Sequence, residues 1–460
     1  MPQDVAAVVL AAGKGTRFRS ETAKVLHRAA GRTLLAHILA SLRPLELGQV
    51  IVVVGHQADE VSAEAQAAGL DGLECVLQSE QLGTGHAVRQ ALPALDEQIR
   101  RVLIVYGDTP LITSETLAAL LGDAEDHTAA LLSARAADPA GYGRVVRDAD
   151  GRVQRIVEHG DATDEQRRID EINAGMYAVD RRRLEASLGG ADADNAQGEV
   201  YLTDIVEHLT AAGESVVGTL VAEAEIAGVN DRAQLADAGA ALRRRHLDRL
   251  MRDVGVTVID PASTYVDVDV EVGRDAVLLP GTILEAGTVV AERARIGPNT
   301  HLTACEVGPD AQVHSTRATG SVIGPGAQTG PFAHLREGTR LEASSKAGAF
   351  VETKNATFAT GAKASHIAYV GDATIGRDVN IGCGVVVVNY DGSAKHHTIV
   401  EDGAFVGSGC MLISPVTVGQ GAYVAAGSTV TDDVPARALA IGRARQVNKD
   451  GWVDRAGTDG

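Results

Sequence analysis

Residues 272–302 read VGRDAVLLPGTILEAGTVVAERARIGPNTHL, and an aliphatic residue recurs at every sixth position of this stretch. The recurring residues are Val272, Leu278, Leu284, Val290, Ile296 and Leu302, and the same interval returns at Ile375, Ile381, Val387 and at Val418, Val424, Val430. A six-residue period is the signature of a parallel β-helix, in which each hexad supplies one short strand and a turn. We therefore predict a β-helix over residues 254–460, with flat faces left for self-association or ligand binding.

The first half of the chain follows a different pattern. Near-continuous apolar runs occur at Val5 to Leu10, Val50 to Val54 and Val102 to Val105, as expected for buried parallel strands. Segments rich in helix formers separate these runs. The alternation predicts a doubly wound α/β domain over residues 1–230, with its ligand site at the C-terminal strand ends. Residues 231–253, rich in Ala, Leu and Arg, are predicted to form a helical linker.

Composition and charge exclude several classes of partner and site. The net charge of −19 argues against nucleic acid or an anionic membrane surface as a partner. No stretch approaches the ~18 apolar residues of a membrane helix, and the N-terminus lacks the pattern of a secretory signal, so we expect a cytoplasmic protein. The cysteines, Cys75, Cys305, Cys383 and Cys410, lie far apart without a CxxC pair. This spacing argues against a zinc site, a redox motif or a disulfide framework.

A glycine-rich segment follows the first predicted strand. It reads LAAGKGTR over residues 10–17 and is followed by Lys24. Glycines after a parallel strand let backbone N–H groups approach a phosphate closely. The segment is not a Walker A loop, because GxxxxGK[ST] is absent, and no acidic residue ends the next strand as the dinucleotide fingerprint prefers.

The string LAAGKGTR with Lys24 resembles the signature of sugar-phosphate nucleotidyltransferases. Further segments follow in the order expected for them: QSEQLGTGH (78–86), YGDTPL (106–111), GYGR (141–144), Glu158, EINAG (171–175) and GVN (228–230). Together with the hexad repeat, they resemble the family of bifunctional N-acetylglucosamine-1-phosphate uridylyltransferases and glucosamine-1-phosphate N-acetyltransferases, from residue 5 to about 453. The resemblance implies a Rossmann-like nucleotidyltransferase domain and a left-handed parallel β-helix that acetylates. Their joint product would be UDP-N-acetylglucosamine, the precursor for peptidoglycan and lipopolysaccharide.

In uridylyl transfer, a sugar 1-phosphate oxygen attacks the α-phosphorus of UTP and pyrophosphate leaves. No covalent enzyme intermediate is needed, so the protein must supply positioning and charge neutralisation. The resemblance implies that Asp108 and Asn230 hold Mg²⁺, and that Lys24, with Lys14 and Arg17, offsets the triphosphate charge. The nucleotide and product site is implied to comprise Leu10, Ala11, Ala12, Gly13, Lys24, Gln78, Gly83, Thr84, Tyr106, Gly107, Asp108, Gly143, Glu158, Asn173 and Asn230.

Acetyl transfer from acetyl-CoA to glucosamine 1-phosphate needs a base for the attacking amine, and histidine suits this role near neutral pH. The resemblance places His366, in SHIAYVGD (365–372), as that base, whereas His396 and His397 are interpreted as loop residues. Arg336 and Lys354 would clamp the phosphate. The remaining residues are implied to orient the sugar (Tyr369, Asn380), to contact both sugar and acetyl-CoA (Asn389, Tyr390), or to bind acetyl-CoA (Cys383, Ser408, Ala426, Arg443). The family's sites lie between subunits, which implies a homotrimer.

Two positions depart from the family pattern. The family usually has proline at the position of Ala23, and the loss of a fixed φ predicts a looser loop before Lys24. Cys383 stands where the family often has alanine, and we interpret it as a small packing residue.

Two other functions remain open from the sequence. One is a monofunctional sugar-phosphate nucleotidyltransferase with a structural or regulatory β-helix. The other is a non-catalytic sugar-nucleotide sensor. The loop at 389–392, which interrupts the hexad rhythm, and His366 argue against the first, and Asp108, Lys24 and Asn230 argue against the second.

Overall fold

The computed structural model describes residues 2–189 and 198–453. The chain divides into two compact units, Met1–Leu242 and Arg243–Gly460. The division falls inside the predicted linker at 231–253. Residues 454–460, the end of the predicted β-helix domain, lie outside the described residues.

The N-terminal unit alternates strands and helices. Its strands are β1 (Val5–Leu10), β2 (Arg28–Ala29), β3 (Arg32–Thr33), β4 (Gln49–Val54), β5 (Leu73–Leu77), β6 (Arg101–Tyr106), β7 (Ala129–Arg135), β8 (Arg144–Arg147), β9 (Val153–Val157), β10 (Glu171–Asp180) and β11 (Val216–Val221). Its helices are α1 (Leu34–Leu42), α2 (Ala58–Ala67), α3 (Thr84–Ala91), α4 (Ser114–Asp123), α5 (Arg181–Gly189) and α6 (Asp204–Ala211), and α7 (Arg232–Arg249) follows. The predicted apolar runs thus lie in β1, β4 and β6.

The main sheet has the order β11-β7-β10-β6-β1-β4-β5. Neighbouring strands run parallel, except that β10 is antiparallel to β6 and β7, and β8 and β9 branch from β10. Successive residues of β1 alternate between two apolar clusters, with Val8 in one and Val9 in the other. Because both faces of β1 are buried, helices must cover the sheet on both sides. The prediction of a doubly wound α/β domain is confirmed.

Helix α7 runs through the predicted linker and continues as a π-helical turn, Leu250–Val254. Leu242 of α7 and Leu250 of the turn are buried, whereas Leu235 of α7 is half-buried. In the part of the chain that the structure describes, no helix has the length and apolar character needed to cross a membrane.

The C-terminal unit is a parallel β-helix. Its strands, numbered β12 to β37 in chain order, are Thr257–Val258, Tyr265–Val266, Glu271–Val272, Val277–Leu278, Ile283–Glu285, Val289–Val290, Arg295–Ile296, His301–Thr303, Glu306–Val307, Gln312–Val313, Thr316–Thr319, Val322–Ile323, Gln328–Thr329, Ala333–Leu335, Arg340–Leu341, Lys346–Phe358, Lys363–Ile375, Asn380–Ile381, Val386–Val388, Thr398–Val400, Phe405–Val406, Met411–Ile413, Val416–Val418, Tyr423–Val424, Thr429–Val430 and Leu439–Ala440.

Each early strand pairs with the third strand after it, so three hexads complete one coil. Leu278, for example, pairs with Ile296, and Leu284 pairs with Leu302. All six aliphatic residues of the 272–302 repeat are buried, with exposed fractions of at most 5%. The aliphatic residue of each hexad therefore faces the interior, and the predicted β-helix is confirmed. The segment after Val388 interrupts this order: Asn389 to His397 form a loop closed by an antiparallel bridge between Tyr390 and Lys395.

Candidate active sites

The first candidate site is a cavity of about 560 Å³ in the N-terminal unit. It lies where the C-terminal ends of β1 and β6 meet, which is where ligands bind in sheets of this type. The predicted residues that line it are Leu10, Ala11, Ala12, Gly13, Lys24, Gln78, Gly83, Thr84, Tyr106, Asp108 and Asn230. Lys14, Val25, Gln81, Ala87 and Glu199 complete its wall.

A larger cavity, of about 1120 Å³, lies at the opposite end of the same strands, beside Asp4 and Arg100. Acidic and basic side chains line it together, and none of the predicted site residues does. We assign the site to the smaller cavity, because convergent polar groups identify a ligand site better than volume does.

The polar groups of the cavity converge on the Lys24 ammonium. Lys24 forms an ion pair with Asp108, at the end of β6, and its Nζ donates to Asn230 Oδ1 at 3.2 Å. Arg17 donates to the same amide oxygen at 2.9 Å. The backbone supports this arrangement, because Val229 N donates to Asp108 O at 2.8 Å and so holds Asn230 beside Asp108. The structure thus brings together residues that are more than 200 positions apart.

Glycine is required at Gly15, where the loop after β1 contacts Lys24. Gly15 has φ +59°, and a Cβ there would lie 2.7 Å from Lys24 Cβ. The neighbouring Gly13, by contrast, faces open space, because a Cβ there would have no atom of the described residues within 4 Å beyond its own chain neighbours. An open glycine leaves its backbone accessible to a phosphate. Gly107 lies behind the wall, where its N–H donates to Leu10 O at 2.9 Å.

Gln78 and Thr84 define one end of the cavity. Gln78 is 3% exposed, and its Nε2 donates to Gly83 O at 3.2 Å and contacts His86 Nδ1 at 3.0 Å. Thr84 forms a side-chain hydrogen bond with Tyr106, while burial raises the pKa of Tyr106 well above its usual value. Tyr106 therefore stays neutral and serves as a hydrogen-bonding group.

Glu158, Gly143 and Asn173 lie close to the cavity without lining it. A Cβ at Gly143 would lie 3.4 Å from both carboxylate oxygens of Glu158, so glycine there leaves the carboxylate accessible. Thr203 donates to Glu158 at 3.1 Å, and burial raises the pKa of Glu158. Asn173 donates to the Tyr177 hydroxyl at 2.8 Å and accepts from Gly175 N at 3.0 Å. Both ends of the Asn173 amide are thus bonded within β10.

The second candidate site lies on the β-helix, where the long strands β27 (Lys346–Phe358) and β28 (Lys363–Ile375) pair. Their register places His366 beside Ala349, with the His366 side chain exposed. Beyond His366, successive coils stack with hydrogen bonds from Gly384 N to Ile367 O (2.6 Å), from Gly409 N to Cys383 O (2.7 Å) and from Gly427 N to Ser408 O (2.8 Å).

This stacking places one predicted residue of each coil in a single column. The column consists of His366, Cys383, Ser408 and Ala426, all with exposed side chains, and Arg443 Cδ lies 3.8 Å from where a Cβ on Gly427 would stand. The column thus extends from the proposed base along one edge of the solenoid.

Three cationic side chains of the β-helix, Lys354, Lys395 and Arg336, lie close to one another, and the β27–β28 register pairs Lys354 with Gly371. The close approach of the Lys395 side chain and the charge repulsion from it lower the pKa of Lys354, and Arg336 adds to the repulsion. Arg336 donates to Glu352 at 3.1 Å. The sequence interpretation missed Lys395, although it belongs to the loop that interrupts the hexad rhythm. A lysine whose pKa is lowered by neighbouring positive charge is expected where an anion binds.

A hydrogen-bond network orients Tyr369. Asn389 donates to Asp372 at 2.5 Å and to the Tyr369 hydroxyl at 3.5 Å, and Asn355 donates to Asp372 at 2.8 Å. Burial alone would raise the pKa of Asp372, but the bonds from Asn355 and Asn389 and the nearby lysines lower it. The sequence interpretation gave Asp372 no role. Its ionised carboxylate holds the Asn389 amide beside Tyr369.

The structure places the other predicted residues of this site outside that network. The Tyr390 hydroxyl donates to Gly392 O at 2.7 Å, within the loop. Asn380 lies one coil further, paired with Lys363 in the ladder. His396 contacts Asp391, and His397 Nε2 contacts Thr374 Oγ1 at 2.9 Å, so both are loop residues as predicted.

The chain is similar to known proteins in both units. A family model described as a MobA-like NTP transferase domain matches residues 7–191, and one described as bacterial transferase hexapeptide (six repeats) matches residues 397–432. The latter match agrees with the left-handed β-helix implied by the sequence.

Relatives match over nearly the full chain. A protein named bifunctional protein GlmU from Geobacillus sp. (strain WCH70) is 49% identical over 453 residues, which are 98% of this chain and 97% of the relative. Proteins of the same name from Nocardia farcinica and Streptomyces avermitilis are 50% and 49% identical, over 99% and 98% of this chain and 94% of each relative.

Proposed function

Because this chain belongs to the GlmU family of bifunctional proteins and is therefore both a uridylyltransferase and an acetyltransferase, we propose that the two reactions occur at the two sites described above. The β-helix transfers acetyl from acetyl-CoA to glucosamine 1-phosphate. The N-terminal unit then transfers uridylyl from UTP to N-acetylglucosamine 1-phosphate and releases pyrophosphate. The monofunctional alternative loses support, because the relatives named bifunctional match the whole chain.

The observation that carries the first assignment is the convergence of Lys24, Asp108 and Asn230 in one cavity beside the glycine-rich loop. Lys24, with Lys14 on the same wall, neutralises triphosphate charge, and the open backbone at Gly13 lets a phosphate approach. Gln78 and Thr84 orient the base at one end, and Glu158 lies toward the sugar. The sugar phosphate oxygen then attacks the α-phosphorus, and the bond to pyrophosphate breaks without a covalent enzyme intermediate.

The oxygen atoms in the cavity fit Mg²⁺. The Asp108 carboxylate and Asn230 Oδ1 both contact the Lys24 ammonium, so they approach one point closely enough to share a cation. Among the described residues, no group of three or more His, Cys, Asp or Glu could hold a metal ion, and Mg²⁺ typically takes one or two carboxylates plus substrate phosphates. We propose Asp108 and Asn230 as its ligands. When bound, Mg²⁺ would neutralise charge on the phosphates.

In acetyl transfer, His366 acts as the general base. Its exposed imidazole accepts a proton from the glucosamine amine as the nitrogen attacks the thioester carbonyl, and the bond to the CoA sulfur breaks. Arg336, Lys354 and Lys395 hold the sugar phosphate, since their mutual repulsion is relieved by a dianion. Tyr369, fixed by Asn389, orients the sugar, with Asn380 and Tyr390 as further contacts. Acetyl-CoA follows the column of Cys383, Ser408, Ala426 and Arg443.

A homotrimer is proposed for the β-helix. Phe332 and Phe350 stack at the surface with ring centroids 5.1 Å apart, and they are 63% and 60% exposed. Ile367, next to His366, is 56% exposed. Large apolar side chains that cluster at a surface favour contact with another chain. Their position beside the proposed base supports a site completed by a second copy of this chain.

The test supplies glucosamine 1-phosphate, acetyl-CoA, UTP and Mg²⁺ to the purified protein and identifies the products by mass. We expect UDP-N-acetylglucosamine, CoA and pyrophosphate. Without acetyl-CoA, neither CoA nor UDP-N-acetylglucosamine should form, and without UTP the reaction should stop at N-acetylglucosamine 1-phosphate. Protein that binds the substrates but releases neither CoA nor pyrophosphate would instead be a sensor.

A further inference from the structure

The residue before Lys24 is hydrogen-bonded to the segment between β4 and α2. Ala23 is 2% exposed and has φ −54° and ψ 138°, just ahead of the short 3₁₀ turn Lys24–Leu26. Its backbone N–H donates to the side-chain carbonyl Oε1 of Gln57. The backbone that carries Lys24 is therefore tied to a residue 34 positions further along the chain.

Gln57 is well placed to act as an anchor. It follows β4, the parallel neighbour of β1, and lies at the N-terminus of α2. Its own carbonyl accepts from Val61 N at 3.0 Å, so the first turn of the helix fixes its backbone. The end of β4 also lies close to the start of the glycine-rich loop, because a Cβ at Gly55 would lie 2.8 Å from Ala12 O. The side chain of Gln57 thus links the segment after β4 to the start of the Lys24 turn.

We propose that Gln57 is a positioning residue for uridylyl transfer. By accepting the Ala23 N–H, it fixes the start of the Lys24 turn and hence the placement of the Lys24 ammonium between Asp108 and Asn230. This proposal rests on the role proposed above for Lys24. A lysine side chain has many rotamers, and a small misplacement of a charge that stabilises the transferring phosphate slows the reaction.

The geometry of Ala23 offers a matched way to test this. Its φ is the value that a proline ring would impose, but proline has no N–H to donate to Gln57. The hydrogen bond and a proline ring are therefore two restraints on the same segment that exclude each other. The sequence predicted a looser loop because position 23 lacks proline. The hydrogen bond from Ala23 to Gln57, which only a non-proline residue can make, replaces the missing restraint.

The experiment measures kcat for uridylyl transfer in Gln57→Met, Ala23→Pro and the double variant. Methionine has nearly the length of glutamine but no carbonyl acceptor, and it meets the same left-handed backbone at position 57, where φ is +53°. We expect Gln57→Met to lower kcat roughly three- to tenfold, as for the loss of one hydrogen bond. In the Ala23→Pro background, the same change should have no effect. Gln57→Glu, which keeps an acceptor oxygen, should stay near wild type.

Two further measurements distinguish a folding defect, a wrong role for Lys24 and a wrong role for Gln57. The circular dichroism spectrum and the Tm of Gln57→Met should match those of wild type, which shows that the N-terminal unit is folded, and acetyl transfer in the other unit should be unchanged. Lys24→Met tests the proposed function: a wild-type kcat there would overturn the role of Lys24 and this proposal with it. A slow Lys24→Met variant, together with a Gln57→Met effect that persists in the Ala23→Pro background, would overturn the role of Gln57 alone.

Discussion

The Lys24 ammonium lies against the Asp108 carboxylate, and the two side chains are only 14% and 15% exposed. Asn230 Oδ1 completes the contact at 3.2 Å. These are the two oxygen ligands that we propose for Mg²⁺, so in the protein without substrates a lysine already balances their charge. A metal ion must therefore compete with Lys24 unless a triphosphate draws the ammonium away.

Replacing Lys24 with methionine is expected to tighten metal binding in the absence of nucleotide. The change keeps the apolar stem and removes the competing charge, so the affinity for Mn²⁺, used as a paramagnetic probe, should rise by about fivefold. The measurement is titration of free Mn²⁺ by electron paramagnetic resonance. Lys14→Met is the control, because Lys14 lines the same cavity. An equal increase in Mn²⁺ affinity in both variants would show a general effect of removing positive charge. It would contradict the idea that Lys24 competes with the metal ion for Asp108 and Asn230.

Asp108→Ala should abolish uridylyl transfer and leave acetyl transfer near the wild-type rate. Asp108 lies in the unit Met1–Leu242, whereas His366 lies in Arg243–Gly460, and each unit has its own core. Both rates would be measured on the same preparation, with circular dichroism to verify folding. A folded variant that lost both activities in parallel would refute separate sites.

Glu158→Gln should stabilise the fold at neutral pH. Burial raises the pKa of Glu158 in the folded protein. A group with a raised folded pKa stabilises the protein below its unfolded pKa, and this contribution is lost as pH rises through the folded value. At pH 7 the wild type therefore carries the cost of a buried charge that glutamine lacks. We expect Tm to rise by about 2 °C at pH 7 and the difference to vanish near pH 4.

Glu74→Gln, at an exposed position in the edge strand β5, serves as the control for removing one negative charge. It should leave Tm unchanged across the same pH range. A lower Tm for Glu158→Gln at pH 7 would mean that the hydrogen bond from Thr203 outweighs the desolvation of the carboxylate.

The sequence predicted features that depend on local pattern and missed those that depend on tertiary contact. The apolar run at Val5 to Leu10 and the hexads from Val272 are local signals, and both lie where expected. The contact of Lys395 with Lys354 depends on how a loop returns to the coil. The bond from Ala23 to Gln57 depends on how the segment before Lys24 packs against the segment after β4. No spacing along the chain encodes either contact.

Glu171 is a residue that the sequence motif highlights but that has a structural role in the fold. It belongs to the segment 171–175 that carried the family resemblance, yet its carboxylate accepts from Arg147 at 2.6 Å and from Ser133 at 2.7 Å. Burial opposes ionisation, but these bonds lower the pKa of Glu171 overall. The residue therefore stabilises the pairing of β10 with its neighbours, and a motif alone does not separate this role from ligand binding.

Phe350→Asp should dissociate the proposed homotrimer. A carboxylate in the exposed Phe332–Phe350 stack would have to be buried without a partner on association, which is strongly unfavourable. We expect a trimer for wild type and a monomer for the variant by analytical ultracentrifugation, with acetyl transfer at least tenfold slower and uridylyl transfer unchanged. Phe350→Leu keeps the apolar surface and should remain trimeric. If the Phe350→Asp variant remained a trimer, the interface between the chains would not include Phe350.

His366→Ala should slow acetyl transfer by roughly 10²- to 10⁴-fold, the range typical for the loss of a positioned base, and leave uridylyl transfer intact. The acid limb of the kcat profile should disappear with the imidazole, because that limb reports its protonation. The assay runs across pH at saturating substrates, so that binding does not enter the comparison. His397→Ala is the matched control, since His397, in the loop after Val388, contacts Thr374 of β28 and has no role in the proposed mechanism. A His366→Ala variant that kept more than about a tenth of the wild-type rate with an unchanged acid limb would show that the amine arrives already neutral and that His366 is structural.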